Sequence, residues 1–150
     1  MANPFIAMQA TTNNSSTSNL PRLKEFAWDF EHDRFLLDVK GNFREVEENE
    51  ALKVWIYKAL KTQRYRFECY RHGIMDTDSD YGIDLEKHIG QTNGVTNAGY
   101  IIEEVRSCLA VNPYIKSIDS IEVSERKKDV LSIDVVLTSI YGTTSVTVNV

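Results

Sequence analysis

The feature that most constrains the fold is a period-two alternation of apolar and polar residues near the C-terminus. It runs through residues 114–125 (YIKSIDSIEVSE), 130–142 (VLSIDVVLTSIYG) and 143–150 (TTSVTVNV). Alternation of this kind places successive side chains on opposite faces of a β-strand. Turns are expected at residues 126–129 and at Gly142. The pattern therefore predicts three antiparallel strands with one apolar face.

Two stretches with apolar residues at helical spacing can cover that face. The first is predicted to begin with Asn49 as its N-cap and to end near Lys61. The second is predicted to open at Asn97 and to end before Pro113, because proline disfavours a helical residue ahead of it. The predicted buried positions are Leu52, Trp55, Ile56, Ala59 and Leu60 in the first helix, and Ile101, Ile102, Val105 and Leu109 in the second.

Three further elements are predicted from shorter patterns. Residues 26–37 alternate around a polar turn and favour a β-hairpin. Residues 64–70 (RYRFECY) favour a strand that would turn Cys69 toward the core. Residues 82–90 favour a short helix that ends at Gly90.

Together these elements predict an α+β fold, a small antiparallel sheet packed against two main helices. Residues 21–150 are long enough for one such domain with a single core. Residues 1–20 form a separate extended tail, since QATTNNSSTSN is polar, uncharged and without periodicity. The tail carries the short apolar pair Phe5-Ile6, which is predicted to bind a partner chain.

Composition argues against several classes of protein. The formal net charge is −5, and the local basic run Arg126-Lys127-Lys128 falls at a predicted turn, so no nucleic-acid partner is expected. No apolar stretch is long enough to cross a membrane, and the N-terminus lacks the basic start of a signal peptide. Cys69 and Cys108 have no metal-ligand spacing, which favours synthesis in a reducing compartment.

The segment DTDSDYGIDLEK, residues 76–87, superficially resembles an EF-hand calcium loop. Such a loop needs glycine at its sixth position and a bidentate glutamate at its twelfth. Counted from Asp76, these positions hold Tyr81 and Lys87. A solvated acidic turn is the simpler interpretation, so no metal and no cofactor is predicted. The alternative function is a small acidic-loop calcium-binding protein, with Asp76, Asp78 and Asp80 as its candidate ligands.

No catalytic site is predicted, and the chain is not expected to be an enzyme. Cys69 and His72 could form a nucleophile and base, but a thiol buried in a strand is usually inert. The carboxylates of Glu45, Glu47, Glu48 and Glu50 could offer a glycosidase pair. A solvated acidic turn at a helix N-terminus explains all four more simply.

The last predicted strand favours docking of another polypeptide. No charged side chain occurs from Gly142 to Val150, and the sequence stops within a good β pattern. Such a strand can leave unpaired backbone groups at a sheet edge and accept a foreign strand. The alternative is an interior strand that its own neighbours cover. The predicted partner-binding residues here are Thr144, Val146, Thr147, Val148 and Val150.

The order of these pieces resembles the XkdS-like branch of the contractile-tail sheath-initiator family, baseplate wedge proteins of phage tails and tailocins (phage-tail-like bacteriocins). The resemblance rests on residues 48–70 (ENEALKVWIYKALKTQRYRFECY), 111–123 (VNPYIKSIDSIEV) and 140–150 (IYGTTSVTVNV). Many members carry a Glu-Pro-Arg triplet after the second helix that contacts the wedge core. Here the triplet is Asn112-Pro113-Tyr114, so that contact is expected to be hydrogen-bonded or aromatic.

The resemblance implies structural work in a contractile injection system. It implies a virion or tailocin baseplate component, synthesised in the bacterial cytoplasm, that joins the wedge to the tube region and nucleates sheath assembly by strand sharing. The implied partners are the sheath protein, other baseplate wedge proteins and tube or hub proteins. Several copies are expected around the tail axis.

Overall fold

The computed structural model describes residues 20–67, 81–85, 94–127 and 130–150. Four short strands come first: β1 (Lys24–Phe26), β2 (Trp28–Asp29), β3 (Arg34–Phe35) and β4 (Glu45–Glu47). Two helices follow, α1 (Glu48–Lys61) and α2 (Gly94–Ala110). Three longer strands complete the order: β5 (Ile115–Lys127), β6 (Val130–Ser139) and β7 (Gly142–Asn149). The α+β class predicted from the sequence is confirmed.

The main sheet is antiparallel and has the order β5-β6-β7. Its inward face carries alternate aliphatic residues of β6 and β7, and these pack against the two helices. Helix α1 packs on β7, and α2 packs on β5. Ile133, Leu137 and Val148 are fully buried at this interface. Burial of one such side chain stabilises the fold by about 1.5–3 kcal/mol.

Helix α1 buries Leu52, Ile56, Ala59 and Leu60 as predicted, whereas Trp55 is half-buried. The N-terminus of the helix also differs from the prediction. Glu47 is the cap residue and makes no side-chain capping hydrogen bond. Asn49 lies inside the first turn, where its Oδ1 accepts a hydrogen bond of 2.6 Å from the Ser139 hydroxyl. The prediction of Asn49 as N-cap was wrong because this tertiary hydrogen bond to β6 takes the oxygen that a local cap would use.

Helix α2 begins at Gly94, earlier than the predicted start at Asn97, and ends at Ala110. Ile101, Val105 and Leu109 are buried as predicted, whereas Ile102 is half-buried. Cys108 is buried on the same helix, and burial raises the pKa of its thiol to about 11. This thiol is therefore neutral near pH 7.

The predicted hairpin at residues 26–37 is present but short. Trp28 pairs with Phe35 and Asp29 with Arg34, while β1 pairs with β4. Ala27 joins the two small sheets, since its N–H donates to the Arg44 carbonyl and its own carbonyl accepts from the Leu36 N–H.

The predicted strand at residues 64–70 and helix at residues 82–90 are wrong over their described parts. Residues 64–66 form a turn in which Tyr65 has a φ of 66°. Ile83 makes an isolated parallel bridge with Gln63 instead of a helical turn. The alternation at 64–70 was misleading because Tyr65 and Phe67 are exposed. Residues 68–70, with Cys69, and residues 86–90 lie outside the described part.

Gly82 allows residues 81–83 to lie close to the end of α1. Its φ is +102°, and a Cβ built on it would lie 2.5 Å from the Thr62 carbonyl oxygen. The Ile83 N–H donates to that same oxygen, and the Ile83 carbonyl accepts from the Arg64 N–H. Glycine is required here by conformation and by space.

Among the described residues, no helix is long and apolar enough to cross a membrane.

Candidate partner-binding surface

Strand β7 lies at an edge of the main sheet. Within the described residues it pairs with β6 on one side and with no strand on the other. The β6–β7 ladder has no register shift from Ser139 opposite Gly142 to Ser132 opposite Asn149. An unbroken edge of this kind presents a regular row of backbone donors and acceptors.

The register identifies which backbone groups face the open side. Leu131 and Val150 exchange both N–H···O=C hydrogen bonds, at 2.8 and 2.9 Å. Hydrogen-bonded and non-hydrogen-bonded pairs alternate along an antiparallel ladder. It follows that Val148, Val146 and Thr144 also direct their N–H and C=O groups to β6. The backbone groups of Asn149, Thr147, Ser145 and Thr143 point away from β6.

The side chains of β7 divide in the same two sets. Val146 and Val148 are buried in the core, and Thr144 and Val150 are half-buried. Thr143, Ser145, Thr147 and Asn149 are exposed on the other face. On that face Thr147 donates a hydrogen bond to Asp134, and Thr138 of β6 donates one of 2.9 Å to Asp119 of β5.

The partner-binding residues predicted from the sequence therefore do not all face the open edge. Thr147 has both an exposed side chain and outward backbone groups, whereas Thr144, Val146, Val148 and Val150 face the chain's own core and β6. Thr143, Ser145 and Asn149, which the sequence analysis did not name, share the outward orientation of Thr147. The signal for them was the alternation itself, since they are the polar partners of the valines.

Strand β5 forms the opposite edge and is less regular. Its pairing with β6 shifts register between Ile115 and Ser117, between Ile118 and Ser120, and between Glu125 and Lys127. Bulges twist an edge and interrupt its row of hydrogen-bonding groups. The β7 edge is therefore the better template for a regular added strand.

The triplet Asn112-Pro113-Tyr114 is mostly turned inward. Asn112 is buried, and its Oδ1 accepts a hydrogen bond of 2.9 Å from the Tyr114 N–H, which fixes the turn into β5. Tyr114 is buried too, and its hydroxyl donates to the Pro21 carbonyl at 2.7 Å. Pro113 is exposed and is the member of the triplet whose side chain can meet a partner.

Tyr114 and Tyr141 together fix the segment that precedes β1. Their rings stack, and the Tyr141 hydroxyl accepts a hydrogen bond of 3.0 Å from the Leu23 N–H. Burial raises the pKa of the Tyr114 phenol, and the nearby Tyr141 adds to the rise. Phe5 and Ile6 lie outside the described residues, but this contact defines where the tail joins the domain.

Two of the acidic candidates form ion pairs with neighbouring cations. Glu47 forms ion pairs with Arg22 at 3.0 Å and Lys24 at 2.8 Å, and hydrogen bonds from Lys24 and Arg22 lower the pKa of its carboxyl. Glu50 pairs with Lys53 at 2.7 Å. Half-buried Glu47 and exposed Glu50 are thus partners of neighbouring cations, as expected of an acidic surface.

Two of the other candidate sites fall wholly or partly outside the described residues. Asp76, Asp78 and Asp80 lie outside the described residues, and so do Cys69 and His72. Among the described residues, no group of three or more His, Cys, Asp or Glu side chains is placed to hold a metal ion. Calorimetric titration of the whole protein with calcium is the direct test of the acidic loop.

An open groove lies between the β2–β3 hairpin and α1, with a volume of about 490 Å³. Trp28, Trp55, Tyr57 and Tyr81 are among its lining residues. Its charges are paired across the groove: Lys58 lies 2.7 Å from Glu25, and Lys61 lies 3.7 Å from Asp33. The first pair joins α1 to β1, and the second joins α1 to the turn between β2 and β3.

A family model described as the contractile injection system sheath initiator matches residues 24–142. The matched range begins at the first residue of β1 and ends at the first residue of β7. A search of curated proteins found no match.

Proposed function

The chain belongs to the contractile injection system sheath initiator family, and we propose that it nucleates the sheath by pairing a sheath strand with the open edge of β7. Membership gives it a structural, sheath-related role in a phage or tailocin particle. The proposal adds the surface and the mode of contact. It also assigns the chain a non-enzymatic role.

One observation carries the proposal: β7 is a regular, uncharged edge strand. Its outward backbone groups belong to Thr143, Ser145, Thr147 and Asn149, whose exposed side chains are small and polar. Strand addition draws its affinity from main-chain hydrogen bonds and its register from alternate side chains. Charged side chains are a common device against unwanted edge pairing, and β7 has none.

The core supports the edge in this role. Val146 and Val148 anchor β7 against α1, so the strand is held in an extended conformation before a partner arrives. A preformed edge lowers the entropic cost of docking, because only the incoming strand has to be ordered. The same burial means that β7 cannot be deleted without removing core residues.

The other proposed contacts are with baseplate proteins, in keeping with the role of the family. Pro113 and the tail residues Phe5 and Ile6 are proposed to meet other baseplate wedge proteins, and the chain is proposed to join the wedge to the tube or hub region. Several copies around the tail axis would present several β7 edges together. A ring of such edges would template the first ring of sheath subunits.

Removal of the protein from its particle tests the role. Particles that lack it are expected to retain baseplates and tubes but to carry no sheath in electron micrographs, and sheaths should return when the intact chain is supplied. Normal sheaths in its absence would contradict the proposal. The β7 edge itself is tested by the variants described in the Discussion.

A further inference from the structure

Three phenylalanines form an exposed aromatic patch on the small sheets. Phe26 lies 5.4 Å from Phe43 and 6.3 Å from Phe35, and Phe35 lies 5.1 Å from Phe43, measured between ring centroids. Leu37 bridges to Phe43 across the strands and extends the patch. The exposed fractions of Phe26, Phe35, Phe43 and Leu37 are 47%, 43%, 55% and 54%.

Such a patch favours an apolar occupant. Contiguous exposed apolar surface is uncommon on a folded chain and usually marks a site of contact. The strands beneath it are only two or three residues long. The rings pack on one another at aromatic contact distances, yet about half of each ring surface stays open to a further side chain.

The chain carries a suitable occupant in its own N-terminal segment. Residues 4–8 (PFIAM) are apolar, and residues 9–19 are small or polar. The tail joins the domain at Leu20, which packs against the core, and at Pro21, whose carbonyl accepts a hydrogen bond from Tyr114. The point of attachment is therefore defined.

The stretch between Ile6 and Leu20 is long enough for residues 4–8 to reach the aromatic patch. Residues 7–19 separate Ile6 from Leu20 and, fully extended, span up to about 45 Å. Leu20 and Phe26 are separated by at most about 20 Å of extended chain. A linker of this length and polar composition gives an effective concentration on the order of millimolar for contact within one chain. Weak apolar contacts are populated at such a concentration.

We infer that the aromatic patch of Phe26, Phe35, Phe43 and Leu37 binds the apolar segment 4–8 of the same chain. Phe5 and Ile6 supply the side chains that cover the rings. In the free protein this contact shields the patch from solvent. A baseplate partner that binds Phe5 and Ile6 would compete with it and uncover the patch.

Site-specific photo-crosslinking in the purified full-length chain tests the inference. A photoreactive phenylalanine analogue replaces Phe5, and the matched control places it at Asn13 in the polar linker. We expect cross-links from position 5 within a single chain, mapped by mass spectrometry to peptides that contain Phe35 or Phe43. Position 13 should give a much lower yield there.

Two further variants make the test specific. Phe43→Ser, at the most exposed ring, should lower the yield from position 5 about tenfold, since one aromatic contact supplies that much of the docking equilibrium. Ile6→Ser should lower it as well while leaving the folded domain unaltered. Cross-links that map elsewhere, that equal the position 13 control, or that join two chains instead of one would overturn the inference. None of these outcomes depends on sheath assembly, so they are separate from the test of β7.

Discussion

The rings of Tyr114 and Tyr141 stack with their centroids 6.1 Å apart and their planes inclined by 18°. One residue begins the approach to β5, and the other lies in the turn between β6 and β7. Their hydroxyls reach Pro21 and Leu23, just before β1. The Leu23 carbonyl in turn accepts from the Glu48 N–H at the start of α1. This contact joins the tail attachment point, the small sheets and the main sheet.

Replacement of Tyr114 by phenylalanine is expected to keep the ring stack and lose the hydrogen bond to Pro21. The free energy of unfolding should fall by about 1 kcal/mol, because one part-buried hydrogen bond is removed. Tyr65→Phe, at an exposed turn position, is the matched control and should change stability little. Urea unfolding measures both, and equal losses in the two variants would contradict the assigned role.

Gly82 and Gly99 give a paired test of backbone geometry. Gly82→Ala should destabilise the protein by at least ~2 kcal/mol, because its φ is positive and the new Cβ would clash with the Thr62 carbonyl. Gly99→Ala, within α2 and with open space around it, should stabilise by about 0.5–1 kcal/mol. Thermal unfolding measured side by side should give shifts of opposite sign. A stabilising Gly82→Ala would show that the 81–83 segment does not pack on α1 as described.

Because its thiol is buried, Cys108 is expected to make the protein less stable at alkaline pH. Burial raises the pKa of its thiol from 9.0 to about 11, so the unfolded chain releases this proton first as the pH rises. The free energy of unfolding should therefore be unaffected by this group below pH 9. It should fall between pH 9 and about 11, by an amount on the order of 2–3 kcal/mol.

The Cys108→Ala variant isolates that contribution. Tyrosines and lysines also titrate in this range, but they are shared by both proteins. Between pH 9 and about 11, the free energy of unfolding of the original protein should fall relative to that of the Cys108→Ala variant. A pH-independent difference would mean that the thiol is solvated in the folded state.

Substitution of Ser145 tests the open edge of β7 without removing a hydrogen bond between β6 and β7. Its N–H points away from β6, where edge strands tolerate proline. Ser145→Pro should fold, with a stability loss of about 1 kcal/mol, and should fail to support sheath assembly because it removes one outward donor and adds bulk at the edge. Ser145→Ala keeps the N–H and is the matched control.

Sheath assembly on particles that carry each variant is the measurement for this pair. Normal sheaths with Ser145→Pro, in a protein shown to be incorporated, would mean that β7 is not the docking edge. Deletion of residues 143–150 is a poorer experiment. It would also remove Val146 and Val148 from the core, so loss of sheath could result from unfolding.

The sequence predicted those parts of the fold that depend on simple periodicity. The alternation of Ile133, Val135 and Leu137 gave β6, and the spacing of Leu52, Ile56 and Leu60 gave the buried face of α1. It failed where a tertiary contact overrode a local preference. Asn49 is a good capping residue, but Ser139 of β6 uses its side chain.

The choice of β7 as a docking strand stays a prediction, and the structure adds the orientation of each of its residues. The absence of charge after Gly142 identified the strand, but the choice of residues required the register. Which backbone groups face outward depends on the two-residue turn at Ile140 and Tyr141, and that turn length was not assigned from the sequence. The partnership of Tyr114 with Tyr141 joins residues far apart in the chain, and no local pattern indicates it.

A density map of the assembled particle at the β7 edge tests the central claim most directly. A strand from a sheath subunit is expected about 4.8 Å from β7, hydrogen-bonded to the backbone of Ser145 and Thr147. Solvent along that edge in a fully sheathed particle would contradict it, as would a sheath contact confined to another face.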